Sequence, residues 1–459
     1  MPQPTLKALA QDLACGRTTA RALAEACLDR IADPAGEGAR AFVSVNREGA
    51  LKAAQAQDEL RKAGAAPSLF AGIPIAVKDL FDVQGEVTAA GSKVLKDHAP
   101  ATADATAVAR LRRAGFVLLG RNTMTEFAYS GLGMNPHYGH PRAPFERAEG
   151  GRVSGGSSSG GAVAVADGMA HAALGTDTGG SCRIPAAFCG ITGYKPTASR
   201  VPREGAFPLS TTLDSIGPIA RSVACCAALD AILSGTEPAP PASRPARGLR
   251  LLVPTTVALD GLDGEVAKAF EAAVEALAQA GAHIVSAPFP EFGEVATINA
   301  KGGFSAAESY AVHRRLLAEK ADAYDPRVAG RIKRGAEQSA ADYVELVAAR
   351  RALVQRAAAR LAGFDALVMP TVAILPPRIA DLATDDDAYG RANLLALRNP
   401  TLINMTDGCA ISLPIPGGAP VGLMLAGAPG TDQALFAVAA GVEAALEHAP
   451  IRSHRDLIG

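Results

Sequence analysis

Apolar residues recur at three- and four-residue intervals through 18–31, 48–63 and 104–114, and again through 265–281, 340–361 and 433–447. This period predicts six amphipathic helices, each with one buried face. Short apolar runs at 73–77, 117–119, 250–253, 283–285, 366–369, 410–413 and 421–425 have the length of strands. Their alternation with the helices predicts the α/β class: an α/β/α sandwich whose central sheet is mixed, mostly parallel, twisted and covered by helices. The Pro-rich stretch 234–248 reads as a surface connection because apolar runs resume after it. One domain over 1–459 is therefore expected. The first 33 residues have helical periodicity without the long apolar run of a signal peptide. Residues 163–174 are apolar but interrupted by Asp167 and His171, too short and too polar to span a bilayer.

With 459 residues, 48% of them hydrophobic, the chain can bury a large core. The 45 Lys and Arg nearly cancel the 46 Asp and Glu. No charge footprint for nucleic acid or an anionic membrane follows, and a small neutral substrate suits the balance better. The seven cysteines (Cys15, Cys27, Cys182, Cys189, Cys225, Cys226, Cys409) are odd in number and form no C-x-x-C pair. That argues against a disulfide framework or a zinc site and for a cytoplasmic location. The eight histidines are scattered, without H-E-x-x-H, so no metal is expected.

Two glycine clusters carry serines: Gly155-Gly156-Ser157-Ser158-Ser159-Gly160-Gly161 and Thr176-Asp177-Thr178-Gly179-Gly180-Ser181. Glycine is concentrated where a backbone turns sharply or lets another atom approach, so these serines can be presented to a carbonyl with free N–H groups beside them. The first cluster also fits the G-x-S-x-G elbow, with Ser158 as nucleophile. That elbow needs a preceding apolar strand, and 144–154 is polar and glycine-containing. No G-K-[ST] follows either cluster, which leaves a phosphate loop unsupported.

Both clusters, the trailing Arg183-Ile184-Pro185-Ala186-Ala187-Phe188-Cys189-Gly190, Lys195-Pro196-Thr197, and the upstream Gly72-Ile73-Pro74-Ile75-Ala76-Val77-Lys78-Asp79 together resemble the amidase signature family. Weaker similarity covers Asn135-Pro136-His137-Tyr138-Gly139 and Ala410-Ile411-Ser412-Leu413-Pro414. The resemblance implies an amidohydrolase that cleaves a linear C–N bond of an amide, carbamate or urea without a cofactor. It assigns Lys78 as base, Ser157 in a cis peptide with Gly156 as proton relay, and Ser181 as nucleophile. Thr178, Gly179 and Gly180, with the N–H of Ser181, would form the oxyanion hole, and Gly156, Asp177 and Arg183 would hold the loops. Lys78 follows an apolar run, so burial would depress its pKa and let it act neutral; the same position suits a surface lysine at a strand end. Arg183 fits a structural ion pair as well as a substrate contact. Cys182 reads as a small buried side chain and His137 as a loop-positioning one.

Departures from the family pattern fall at Ser154, at Met424 and at Thr406-Asp407-Gly408-Cys409, which bear on substrate and not on reaction type. Substrate choice is expected from the loop 127–134, with Phe127, Tyr129 and Met134, from Asp407 and Met424, and from the helical stretch 300–340. In that stretch Phe304, Tyr310 and Leu317 suit a pocket wall and core packing alike. The expected division is an N-terminal helical part (1–70), a catalytic core (71–230) and a helical substrate wall (300–345). The partner is a small-molecule amide or carbamate, with no nucleic acid and no membrane, and a homodimer is compatible with this. The same residues would serve the glutaminase-like component of a tRNA-dependent amidotransferase. A non-catalytic binding protein is a further alternative, against which the retention of Lys78, Ser157 and Ser181 speaks.

Overall fold

Eleven strands are present in the computed structural model, which describes residues 3–449. They are β1 (Phe42–Val45), β2 (Pro74–Lys78), β3 (Val117–Asn122), β4 (Ala172–Asp177), β5 (Thr192–Lys195) and β6 (Ser215–Ala220), then β7 (Arg250–Pro254), β8 (His283–Ala287), β9 (Ala366–Pro370), β10 (Cys409–Pro414) and β11 (Gly422–Gly427). All join one sheet in the order β1-β3-β2-β4-β6-β5-β10-β11-β9-β7-β8. The sheet thus continues across 234–248, the Pro-rich segment between β6 and β7.

The α/β class and the mixed sheet match expectation, but the balance of directions does not. Four pairings are parallel, in β3-β2-β4 and β9-β7-β8. Six are antiparallel, including every contact from β4 to β9 through the centre. The reason is connection length. A parallel pair needs a crossover, supplied by the Thr106–Arg113 helix before β3 and the Gly264–Gln279 helix before β8. β10 and β11 are separated by only the short turn 415–421, in which Gly417 and Gly418 take φ of 103° and 43°, and such a link permits only an antiparallel return.

The six expected helices form as Ala20–Ala32, Arg47–Lys62, Thr106–Arg113, Gly264–Gln279, Ala340–Leu361 and Asp432–His448. Side-chain caps fix several starts. Thr19 Oγ1 accepts from the Ala22 N–H (3.0 Å), and Ser339 with Asp342 forms a capping box at the head of the longest helix. The 300–340 stretch is two helices, Gly303–Lys320 and Pro326–Lys333, linked and followed by short 3₁₀ turns.

Alternation along β5 shows that helices cover both faces. The Tyr194 ring packs 4.2 Å from Phe436 of the C-terminal helix. The preceding Gly193 faces the other way, where a Cβ would lie 2.3 Å from the Cys182 carbonyl oxygen and 2.6 Å from Ala186 Cβ. Every residue of β2, β4, β5, β6 and β9 is buried. Among the described residues no helix is long and apolar enough to cross a membrane.

Candidate active site

Lys78 closes β2 and Asp177 closes the neighbouring β4, and their parallel register sets Val77 opposite Leu174. The carboxyl ends of adjacent parallel strands therefore open side by side, the place where α/β sheets assemble sites. The apolar run 73–77 draws Lys78 into the core with it, leaving the side chain buried. Its ammonium donates to Ser157 Oγ (2.7 Å) and to Thr176 Oγ1 on β4 (2.8 Å). Burial is the largest influence on this amine and lowers its pKa to about 8, against the pull of Cys182, Asp214 and Asp177.

Ser157 stands in the tight loop before the Ser159–Ala166 helix, and its peptide bond to Gly156 is cis. The loop is threaded where side chains do not fit. At Gly155 (φ 76°) a Cβ would meet Pro185 Cα at 2.8 Å, and at Gly156 it would meet the Gly133 nitrogen at 2.6 Å. The Ser157 carbonyl accepts from the Thr125 N–H (3.1 Å), and the Ser158 N–H donates to the Ser181 carbonyl (3.3 Å), so the two glycine clusters are tied directly.

Asp177 organises the second cluster. One carboxylate oxygen accepts from Arg183 Nη2 (2.8 Å), Asn404 Nδ2 (2.9 Å) and the Gly180 N–H (2.9 Å); the other accepts from Arg183 Nε (3.0 Å) and the Cys182 N–H (3.2 Å). Both side chains of the ion pair are fully buried. Burial alone would raise the Asp177 pKa, but Arg183 outweighs it, with Lys195 and Asn404 assisting, and holds the carboxyl well below the usual carboxylate range. Arg183 also donates to the Asn404 side-chain oxygen (2.6 Å), the Pro400 carbonyl (3.2 Å) and Met424 Sδ (3.1 Å). Its donors are committed to the scaffold, and Met424 packs against it as a structural partner. The Gly180 amide, expected among the oxyanion donors, is likewise taken by Asp177, whereas the amides of Thr178, Gly179 and Ser181 stand outside this set. Thr178 Oγ1 donates to Asp214 (2.5 Å), a carboxyl that burial raises to about 6.

Ser181 lines a cavity of about 200 Å³ together with Thr178 and Gly179. Tyr129 and Phe304 line it as well. Phe127, Met134 and Asp407 do not. Phe127, at φ 49°, turns into the core against His313 (4.3 Å) and Tyr324 (5.3 Å), and Met134 packs in a cluster with Leu132, Val153 and Ile184. Asp407, at φ 57°, accepts from the Ala198 N–H (3.4 Å) and lies 3.7 Å from Arg350. Leu317 belongs to the main core, and Tyr310 packs on Gly335, where an added Cβ would lie 2.6 Å from its own. Burial draws Phe127, Met134 and Leu317 inward, while Asp407 and Tyr310 stay partly exposed beside these partners. Sequence reasoning missed Leu209 and Leu213 from the loop before β6, and Leu397, Thr401 and Met405 from the Asp386–Met405 helix. The Cys182 thiol is buried and pushed up in pKa by that burial, which disfavours a thiolate nucleophile. His137 Nε2 lies 2.8 Å from Glu126 and so braces the 126–130 turn. Among the described residues no group of three or more His, Cys, Asp or Glu side chains is placed to hold a metal ion.

A family model described as Amidase matches residues 22–436. A 2-amino-5-chloromuconic acid deaminase of Comamonas testosteroni is 38% identical over 404 residues, 86% of this chain and 86% of its own. The A component of a glutamyl-tRNA(Gln) amidotransferase from Chloroflexus aggregans is 34% identical over 470 residues, 95% of this chain and 94% of its own. Among solved structures, a crystal structure of an amidase superposes with a TM-score of 0.87 at 33% identity, over 96% of this chain and 100% of that one.

Proposed function

The chain belongs to the amidase family of hydrolases, and from that premise we propose that it cleaves the linear C–N bond of an amide, or of a related carbamate or urea, through an acyl-enzyme on Ser181. The observation that carries the mechanism is the buried Lys78 amine at 2.7 Å from Ser157 Oγ, in a loop hydrogen-bonded to Ser181 itself. A serine hydroxyl is too weak a nucleophile until a base takes its proton. In its neutral form Lys78 accepts the Ser157 proton while Ser157 takes that of Ser181, and Ser181 Oγ forms its bond to the substrate carbonyl carbon. The carbonyl π pair moves to oxygen, where the Gly179 and Ser181 amides stabilise it; one such donor is worth about 3 kcal/mol in the transition state. As the C–N bond breaks, Ser157 hands its proton to the leaving nitrogen and Lys78 restores the Ser157 proton. Water then enters, is deprotonated by the same relay and bonds to the acyl carbon; the C–Oγ bond to Ser181 breaks, the relay returns the proton to Ser181 Oγ, and the acid leaves.

Asp177 and Arg183 act by holding the turn that presents Ser181, and Thr178 is steadied through Asp214. The seven cysteines are all free, six of them buried, which supports a reducing compartment. The amidotransferase relative supports a second reading, in which the chain delivers ammonia to a partner protein. The two separate on one assay, ammonia release from simple amides by the purified chain alone. Robust turnover that disappears in Ser181→Ala supports the hydrolase, whereas turnover appearing only on addition of a second protein component supports the amidotransferase reading.

A further inference from the structure

The cavity beside Ser181 carries no Lys, Arg, His, Asp or Glu among its described lining residues. Leu209, Leu213, Leu397 and Met405 with the Tyr129 and Phe304 rings make its walls, and its polar side chains are neutral hydroxyls and the Asn299 amide. Three basic side chains beside these walls make hydrogen bonds outside the cavity, although the buried Arg350 Nε keeps no partner. Arg331 donates to the Tyr129 carbonyl (2.7 Å), Arg350 lies over the Phe304 ring at 5.8 Å and donates to the Asn404 carbonyl (3.1 Å), and Arg398 donates to Asn399 Oδ1 (3.0 Å).

Two carboxyl groups fasten the loop behind the leucine wall. Glu308, buried in the Gly303–Lys320 helix, accepts from the Ser210 hydroxyl, the Thr212 N–H (3.0 Å) and hydroxyl, and Tyr343 Oη (2.7 Å). Asp214 accepts from the Leu209 N–H (3.0 Å) and the Ser210 N–H (3.1 Å). Neither forms a side-chain ion pair among the described residues, although Lys78 and Arg203 lie within electrostatic reach of Asp214 and Arg350 within reach of Glu308; the loop that offers Leu209 and Leu213 to the cavity is thus fastened from behind by carboxyl groups and not by a cation that faces the cavity. A substrate carboxylate entering here would lose its hydration without gaining a cation.

Resting on the assignment of Ser181 as nucleophile, we infer that the acyl portion of the substrate is a small, uncharged, mainly apolar group, and that acyl chains ending in a carboxylate are excluded. The small cavity favours a small group, and a lining without a charged side chain leaves a carboxylate there with no cation to replace its water.

Two fluorophosphonates test this, one bearing an n-pentyl group and one a 4-carboxybutyl group. Each labels a serine by forming an O–P bond as fluoride leaves, and so needs no particular leaving amine. The pentyl probe should label Ser181 about 100-fold faster or more, and kcat/KM should rank pentanamide over 4-carbamoylbutanoate in the same way. Equal or faster labelling by the carboxybutyl probe overturns the inference while leaving the amidase reading intact. Labelling of Ser181 by neither probe, in protein of unchanged melting temperature, overturns the amidase reading and this inference with it. Leu397→Arg, which puts a cation on the wall, should raise the relative rate of the carboxybutyl probe about tenfold or more; an unchanged ratio in folded variant contradicts the charge argument. Should that variant not fold, the wild-type ratio alone decides.

Discussion

If neutral Lys78 is the base, the rate must follow its deprotonation, and burial puts that pKa at about 8. The neutral fraction is then about 1% at pH 6, about 10% at pH 7 and about half at pH 8, whereas an unperturbed lysine would be only about 0.04% neutral at pH 7. For a neutral primary amide, kcat/KM should climb about tenfold per pH unit from about pH 6 to 7.5 and level off above about 8.5. Ammonia release measured from about pH 5.5 to 10 gives the profile. Lys195 needs a control, because burial, with Arg183 beside it, also lowers that amine to about 8. Its ammonium is bonded to the Pro196 and Gly408 carbonyls and does not touch Ser157, so Lys195→Met should leave the midpoint in place. Stability has its own sign. The folded pKa of Lys78 lies below the unfolded one, so between about pH 8 and 10.4 the unfolded chain holds a proton that the folded chain has shed. Unfolding free energy should rise with pH across that window and carry a constant penalty of about 3 kcal/mol below it. Lys78→Met relieves that penalty but loses two hydrogen bonds of about 1 kcal/mol each, so it should melt no earlier than wild type at neutral pH while being inactive. A wild-type limb still rising at pH 10, or a limb of normal height in Lys78→Met, refutes this reasoning.

Ser157→Ala should cut kcat for amides by about 10²–10⁴-fold with an unchanged circular dichroism spectrum; near-normal turnover would remove Ser157 from the proton path. Asp177→Asn leaves the Arg183 guanidinium buried without its counter-ion and should cost about 3–5 kcal/mol in denaturant unfolding, and a loss under about 1 kcal/mol would contradict the role given to the pair. Gly180→Ala must seat a Cβ 2.6 Å from Pro400 Cβ at φ 125°, so both melting temperature and Ser181 labelling should fall; retention of both would show that the turn has room to shift.

Sequence legibility divided along physical lines. The 340–361 helix has the bounds its periodicity predicts because its start is fixed by a local capping box, which short-range patterning encodes. β4 was unreadable as a strand: Ala172-Ala173-Leu174-Gly175-Thr176-Asp177 is buried on both faces, lacks alternation and contains small residues that suit close packing of the Ser159–Ala166 helix. β6 carries Pro218, and the Asp386–Met405 helix carries Pro400, residues that argue against a regular element when read locally. At the site, Lys78, Ser157 and Ser181 were visible because their glycine frames are contiguous. The contacts that complete it are not contiguous: Thr176 meets Lys78 across 98 positions, and Asn404 reaches Asp177 across 227. Phe127 and Met134 looked like pocket residues because an apolar side chain in a loop carries no mark of which way it points; the positive φ at Phe127 and the packing around Met134 decide it.

The central claim is that Ser181 forms the covalent bond, and peptide mapping of the protein after reaction with an alkyl fluorophosphonate tests it most directly. The adduct should sit on Ser181 alone and be absent from Ser181→Ala. An adduct on Ser157, Ser158 or Cys182 in the wild-type protein, with Ser181 unmodified, would contradict the account.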